Sequence, residues 1–214
     1  MNTTELLSTF RQEVFDTVAP YLWSDALIYT YIDDAQKQFC RDTYGIEDAR
    51  SFKLTILGDS TTVWYAIDPM ILKLRDAINP DTGDDVPFIA VEKMRQNNMK
   101  LDGTKGPLKA LVTGLEKGMV RTYPIPNLAS TVELRTFRLS ADVGAGDDFE
   151  IDPQHVLNLL LWVKSKAYSV QDAETNDPRK AAGFKAEWDA YCAKAKVEQS
   201  RMRRPVSAVA YGGY

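Results

Sequence analysis

The fold depends most on one stretch of the sequence, residues 152–163, which reads DPQHVLNLLLWV. Asp152 is a favourable N-cap and Pro153 is favoured at the first position of a helix, so the stretch predicts a helix start. The residues that follow are apolar almost all round, which predicts that this helix is the most buried element of the fold.

Three more helices are predicted from capping residues and apolar residues at helical spacing. Two precede the stretch, and one follows it and continues into a basic segment. Their signals are, in order, a Thr3 or Thr4 cap with apolar positions as far as Val18 and a stop at Pro20; a Ser24 cap and a stop at Gly45; and an Asp177-Pro178 start with a stop before Pro205.

Between residues 52 and 139 the pattern changes to β-branched and aromatic runs that are separated by turn formers such as Asn79-Pro80 and Asp102-Gly103. Such runs predict short antiparallel strands. Residues 70–77 fit a strand or a short helix, and the sequence does not decide between them. The predicted strands are residues 52–57, 61–67, 86–89, 119–123 and 132–139.

The predicted fold class is therefore α+β, a four-helix bundle with an inserted small antiparallel β region and an extended C-terminal tail. The predicted boundaries are residues 1–50 and 151–204 for the two halves of the bundle, 51–150 for the β-rich insertion and 205–214 for the tail. At 214 residues and 44% hydrophobic, the chain can bury a core without disulfides.

The two cysteines, Cys40 and Cys192, lie in predicted helices, which is typical of a reducing cytoplasm. The N-terminus has no signal-peptide pattern, and the longest apolar run, residues 159–163, is far shorter than a membrane span. These features predict a soluble protein, made in the cytoplasm, that has no membrane partner.

The net charge of -4 is unevenly distributed. From residue 193 onward there are five basic residues and one acidic residue, so the first 192 residues carry -8. An acidic body argues against general nucleic-acid binding, and the basic segment continues into an apolar and aromatic end. Chain ends usually fray, but this composition favours an end that orders on a partner.

A catalytic alternative comes from Gly58-Asp59-Ser60 after a predicted strand, together with Asp152 and His155. These are the signatures of SGNH-type esterases, in which a serine nucleophile is activated by a histidine that an aspartate orients. The order of elements does not suit that fold, and a tight turn and a helix cap explain the same residues. We therefore predict no enzyme activity and a structural role for His155.

Metal and cofactor sites are not predicted either. One histidine and two distant cysteines cannot build a zinc site, and no EF-hand or Walker spacing occurs. The prediction is that the protein uses no cofactor and no metal.

Several stretches, in this order, resemble the head-to-tail adaptor (connector) proteins of tailed bacteriophages, especially the type found in short-tailed phages. The resemblance covers most of the chain, but no single motif within it is specific. The stretches are residues 22–25 (LWSD), 31–40 (YIDDAQKQFC), 123–126 (YPIP), 132–135 (VELR), 155–168, 172–175 (DAET) and 177–178 (DP), the basic helix end, and 211–213 (YGG).

The resemblance implies a virion protein of the neck. Twelve copies would form a ring under the portal protein, and this ring would extend the DNA channel and offer a surface to tail or nozzle proteins. DNA would pass without specific binding. The C-terminal segment would dock on the portal, which assigns this role to Arg201, Arg203, Arg204, Pro205, Val206, Val209, Tyr211, Gly212, Gly213 and Tyr214.

Two other functions remain open from the sequence. One is the esterase that would use Ser60, His155 and Asp152. The other is a tail terminator or completion protein of the same particle.

Overall fold

The structure is a computed structural model that describes residues 1–171 and 175–203. The chain divides into two compact units. The helical unit consists of residues 1–44 and the described residues from 140 onward, and the β unit is Gly45–Leu139.

The described residues form six helices and nine strands. The helices are α1 (Thr3–Glu13), α2 (Asp25–Asp42), α3 (Val91–Gln96), α4 (Pro153–Val156), α5 (Leu159–Tyr168) and α6 (Pro178–Met202). The strands are β1 (Ile46–Ile56), β2 (Trp64–Ala66), β3 (Ile71–Ile78), β4 (Phe88–Ala90), β5 (Lys105–Gly106), β6 (Ala110–Thr113), β7 (Met119–Tyr123), β8 (Ile125–Pro126) and β9 (Ser130–Arg138).

The helical unit packs α5 against α2 and α6. Five of the ten residues of α5 are buried, and its Trp162 lies with its ring centroid 5.5 Å from that of Trp188 on α6. Phe39 of α2 meets Trp188 edge-on at 6.2 Å. Aromatic pairs at such distances add to the apolar burial that holds the helices together.

The first helix ends earlier than the sequence predicts. An Asn2 cap with Glu5 starts α1, but α1 stops at Glu13 rather than continuing to Val18. The backbone N–H groups of Phe15 and Asp16 bond back to the carbonyls of Gln12 and Arg11, at 3.3 and 2.9 Å, which is a Schellman stop. Apolar residues continue at helical spacing past Glu13, so the sequence pattern alone does not show where the helix ends.

The β unit contains three sheets. Their strand orders are β1-β9-β3, β2-β7-β6-β4 and β5-β8. The pairs β4–β6 and β5–β8 are parallel, while the other pairs are antiparallel. Residues 70–77, for which the sequence did not decide between strand and helix, lie mostly in the strand β3. A core of buried side chains lies in the β unit: Leu54, Ile56, Ala77, Val86, Leu111, Val120, Val132 and Leu134.

The fold is α+β, but the prediction of a four-helix bundle with a small antiparallel β insertion is wrong. The helical unit has five described helices, because the helix predicted from residue 153 breaks after Val156 into α4 and α5. Bonds from Asn158 N to His155 O and from Leu160 N to Leu157 O, at 3.1 and 3.2 Å, tighten the backbone there.

The β unit departs from the prediction for a second reason. Its parallel pair β4–β6 is joined by a connection that contains α3, a helix of six residues that is too short to show a helical period in the sequence. The predicted extended tail, residues 205–214, lies outside the described residues.

Candidate docking surface at the end of the last helix

The start of helix α6 is fixed by an N-cap residue and a proline. Asp177 accepts a hydrogen bond from the backbone N–H of Lys180 at 3.1 Å, and Pro178 occupies the first helical position. With 25 residues, α6 is roughly 37 Å long at 1.5 Å per residue. Its last seven residues, 196–202, follow Ala195, the last buried position of the helix.

The first half of α6 is anchored in the core of the helical unit. Trp188 is fully buried, and its indole Nε1 donates to Asp42 Oδ2 of α2 at 2.9 Å. Ala181, Cys192 and Ala195 complete the buried side of the helix. A buried indole with a satisfied N–H fixes both the position and the rotation of α6.

The last two turns of α6, residues 196–202, are different. After Ala195, none of the described residues of α6 is buried. Val197 is 51% exposed and Met202 is 69% exposed, so apolar side chains lie among the cations of this end. Within the described residues, no ion pair includes Lys194, Lys196 or Arg201. This end of α6 therefore offers both charge and apolar surface.

A groove lies beside this end, next to Tyr44, which follows the C-cap of α2. Lys196 Nζ lies 5.6 Å from the centre of the Tyr44 ring, and Arg203 Cζ lies 4.7 Å from it. Both distances are within the range of cation–π attraction. The groove has a volume of about 510 Å³ and is lined by Tyr44, Ala193, Lys196, Val197, Ser200 and Arg201.

The predicted docking residues fall partly inside the described structure. Arg201 is exposed and lines the groove, and Arg203 is half-buried over Tyr44. The remaining predicted residues lie outside the described residues, and their role stays a prediction. They are Arg204, Pro205, Val206, Val209, Tyr211, Gly212, Gly213 and Tyr214.

Sequence reasoning missed Tyr44, because 149 or more positions separate it from the residues at the end of α6 that it meets. The available signal was an aromatic residue directly after a helix C-terminus. Aromatic faces attract the cations of neighbouring elements, so such a position is a candidate partner for a basic helix end.

Acidic and basic residues are distributed differently in the two structural units. Residues 1–44 and 140–192 carry 17 acidic and 8 basic residues, whereas the β unit carries 12 acidic and 13 basic residues. Residues 193–214 carry one acidic and five basic residues. The acidic character of the body therefore belongs to the helical unit, and the basic end of α6 lies on that same unit.

The Gly58-Asp59-Ser60 sequence forms a turn in the β unit. A Cβ at Gly58 would lie only 2.4 Å from the backbone nitrogen of Ala129, so the close approach requires glycine. Asp59 accepts hydrogen bonds from the backbone N–H groups of Thr61 and Thr62 and from the Thr62 hydroxyl, which lower the pKa of its carboxyl. The prediction that these residues form a tight turn is confirmed.

His155 lies in the helical unit and is buried. Its Nδ1 is hydrogen-bonded to the Tyr191 hydroxyl at 2.7 Å, and burial lowers its pKa although the carboxylates of Asp152 and Glu198 oppose this. In a Ser-His-Asp site the aspartate would occupy that Nδ1 position. His155 is packed and hydrogen-bonded, as expected for a structural histidine, and the geometry does not support the esterase.

No group of three or more His, Cys, Asp or Glu side chains placed to hold a metal ion occurs among residues 1–171 and 175–203. In the same part of the chain, no helix combines the length and the apolar character that crossing a membrane requires.

The described end of α6 exposes cations and apolar side chains together. A family model described as SU10 adaptor protein matches residues 1–209, and the chain belongs to this family. It is therefore a bacteriophage adaptor protein, as the resemblance to the head-to-tail adaptors of short-tailed phages implied. No curated protein matches the chain.

The family assigns the chain a structural adaptor role in the virion, in contact with other head and tail components. The resemblance stated from the sequence is confirmed at this level.

Proposed function

We propose that the protein is a non-enzymatic head-to-tail adaptor that forms a ring under the portal protein, in the neck of the virion. The ring, dodecameric as the resemblance implies, extends the DNA channel and provides an attachment surface for tail proteins. The C-terminal segment, residues 201–214, docks on the portal. Family membership supports the adaptor role. The exposure of the end of α6 supports the proposed portal docking, and the charge distribution supports the proposed DNA channel.

One observation carries the docking proposal. After Ala195, no described residue of α6 is fully buried, although single side-chain atoms of Gln199 and Arg203 are, while Trp188 anchors the first half of the same helix. The segment 201–214 begins at this exposed end of a firmly held helix, which supports its assignment as a docking segment. Arginine and tyrosine are enriched at the centres of protein interfaces, and this segment contains both.

The charge distribution supports the channel proposal. The helical unit before residue 193 has an excess of nine acidic residues. An acidic wall repels the phosphate backbone of DNA and lowers adhesion during passage. The β unit is nearly neutral by the same count, which suits a unit that contacts tail proteins instead of DNA.

A deletion tests the docking proposal directly. Removing residues 204–214 and replacing Arg201 and Arg203 by alanine should abolish co-sedimentation with purified portal rings. The matched control replaces Lys180 and Lys185 by alanine, which removes two cations from the anchored half of α6. Normal portal binding by the first variant would refute the assignment of the docking segment.

A further inference from the structure

The connection between α1 and α2 exposes a group of large apolar side chains. Phe15 is 92% exposed, Val18 is 78%, Leu22 is 48% and Tyr21 is 44%. We call these four residues the Phe15 knob. Four such side chains within eight residues of the chain exceed what scattered surface residues would give, and apolar groups of this kind mark interaction sites.

The backbone at Phe15 adds to this observation. Phe15 lies at the position after the helix cap in the Schellman stop, with φ at 58°. Glycine normally occupies this position because a side chain with a Cβ is strained there. The Phe15 side chain thus adopts an unfavourable backbone conformation and stays in solvent, so it gains nothing within the described chain that offsets the strain.

A buried ion network holds the knob in place. The Arg11 guanidinium, which is almost fully buried, pairs with Asp16 and Asp25 and donates to the Trp23 carbonyl oxygen at 2.7 Å. Asp16 in turn accepts from the backbone N–H of Leu22 at 3.0 Å. The knob is therefore preorganised, which lowers the entropy that docking would cost.

The chain also contains a surface that complements the knob. Beside the knob, the single cation Arg11 pairs with two carboxylates, Asp16 and Asp25, so the ion network that adjoins the knob has a net negative charge. The groove beside Tyr44 has an apolar side at Ala193 and Val197, and the cations Lys196 and Arg201 flank it. Apolar groups and opposite charges thus match between the knob and the groove.

The two surfaces lie at opposite ends of α2. The knob directly precedes the N-cap Ser24, while Tyr44 directly follows the C-cap Thr43. The 18 residues of α2 span roughly 27 Å, so one copy cannot place its knob in its own groove. The knob and the groove can therefore meet only between two copies of the chain. Such a head-to-tail contact closes into a ring when the rotation that relates neighbouring copies permits it.

We propose that the Phe15 knob of one copy binds in the groove beside Tyr44, Val197 and Arg201 of the next copy, and that this contact forms the subunit interface of the adaptor ring. The inference rests on the proposed ring and names the surfaces that build it. Two unlike surfaces of the same chain are then buried at every interface around the ring.

Thiol cross-linking tests the proposal on portal rings. Two proteins are prepared, Thr17→Cys beside the knob and Ser200→Cys in the groove, which keep Phe15 and Val197 in place, and they are assembled singly and as an equal mixture. The natural thiols give little background, because Cys40 and Cys192 are buried and burial raises the pKa of Cys192 to about 12. Cross-linked pairs are expected in the mixture and not in either protein alone.

Other occupants of the groove give different results. Linkage of Thr17→Cys with itself would show a symmetric contact, and, in a further variant, linkage of Tyr211→Cys with Ser200→Cys inside one copy would assign the groove to the chain's own tail. Either result overturns the proposal. If wild-type protein forms no ring on the portal by mass, the proposed function fails; if rings form and the mixture gives no cross-links, this inference alone fails.

A second variant separates docking from folding. Phe15→Gly removes the knob's largest side chain and relieves the left-handed backbone, so the isolated protein should be as stable as wild type or more stable. Ring assembly should weaken about tenfold or more, which is the loss expected for one buried phenylalanine. The matched control is Leu157→Ala, which shortens a side chain that is 50% exposed elsewhere on the helical unit. Wild-type assembly by Phe15→Gly would overturn the proposal.

Discussion

The two ends of the helical unit expose apolar side chains in different ways. At the α1–α2 connection, the buried Arg11 network fixes the backbone that carries Phe15. At the end of α6, Val197 and Met202 lie on a helix that has no buried side chain after Ala195 among its described residues. There, Lys196 and Arg203 make cation–π contacts with the Tyr44 ring.

This difference shows two ways to prepare a surface for a partner. The first end keeps its shape through buried charges, so a partner meets a surface that is already formed. The second end offers cations and exposed apolar side chains. In the proposed function, the first kind of surface joins neighbouring copies and the second kind joins the portal.

The largest effect should come from breaking the network at the first end. Replacing Asp16 by alanine removes a buried partner of Arg11 and should lower the free energy of unfolding by about 3 kcal/mol, as measured by urea unfolding. Asp25→Ala is the control, because the Asp25 side chain is 54% exposed and its loss should cost about 1 kcal/mol or less. Equal losses would mean that the network does not fix the connection.

The next test compares the two halves of α6. Trp188→Phe removes the indole N–H that binds Asp42 and leaves space in the core, so it should destabilise the protein by about 2 kcal/mol. Met202→Ala at the projecting end should change stability by less than about 0.5 kcal/mol in the same urea titration. A large loss from Met202→Ala would contradict the account of an end without core contacts.

His155 should give a smaller, pH-dependent effect. Burial lowers its pKa in the folded state, so below its ordinary value of 6.5 the unfolded chain takes up the proton first. Stability should therefore fall as pH drops below 6.5, with a slope of at most about 1.4 kcal/mol per pH unit. His155→Gln should remove this part of the pH dependence in thermal unfolding; an unchanged slope would assign it to other groups.

The smallest stability effect should come from Tyr44. Replacing it by leucine keeps apolar volume and removes the ring that attracts Lys196 and Arg203, so the expected loss is about 0.5–1 kcal/mol. Measured unfolding at low and high salt should show that the loss shrinks as salt rises. A loss above about 2 kcal/mol would place Tyr44 among the core residues and not at a surface.

Sequence pattern predicted the helices best where a cap and an apolar face agreed. Asp177-Pro178 and Ser24 start helices where expected, because local capping chemistry decides them. The predicted end of α1 is wrong because the apolar residues Val14 and Val18 continue the helical spacing beyond Glu13, where the helix ends. The α3 crossover and the break between α4 and α5 depend on tertiary packing, which a periodic pattern does not contain.

The candidate docking surface was predictable in part. Charge counting isolated the basic end of α6, and with it Arg201 and Arg203. The groove beside Tyr44 was not predictable, since it requires the C-terminus of α2 to lie against α6. The Phe15 knob was not predicted: the sequence pattern placed Val18 on the apolar face of the first helix, and only the positive φ and the exposure of Phe15 reveal the knob.

The mass of the complex formed with purified portal rings tests the central claim most directly. Sedimentation or native mass spectrometry of portal rings saturated with the protein should show many copies bound per portal ring, twelve if the implied stoichiometry holds, with no partly filled rings at saturation. Binding of a single copy, or no increase in mass, would contradict the account of an adaptor ring under the portal.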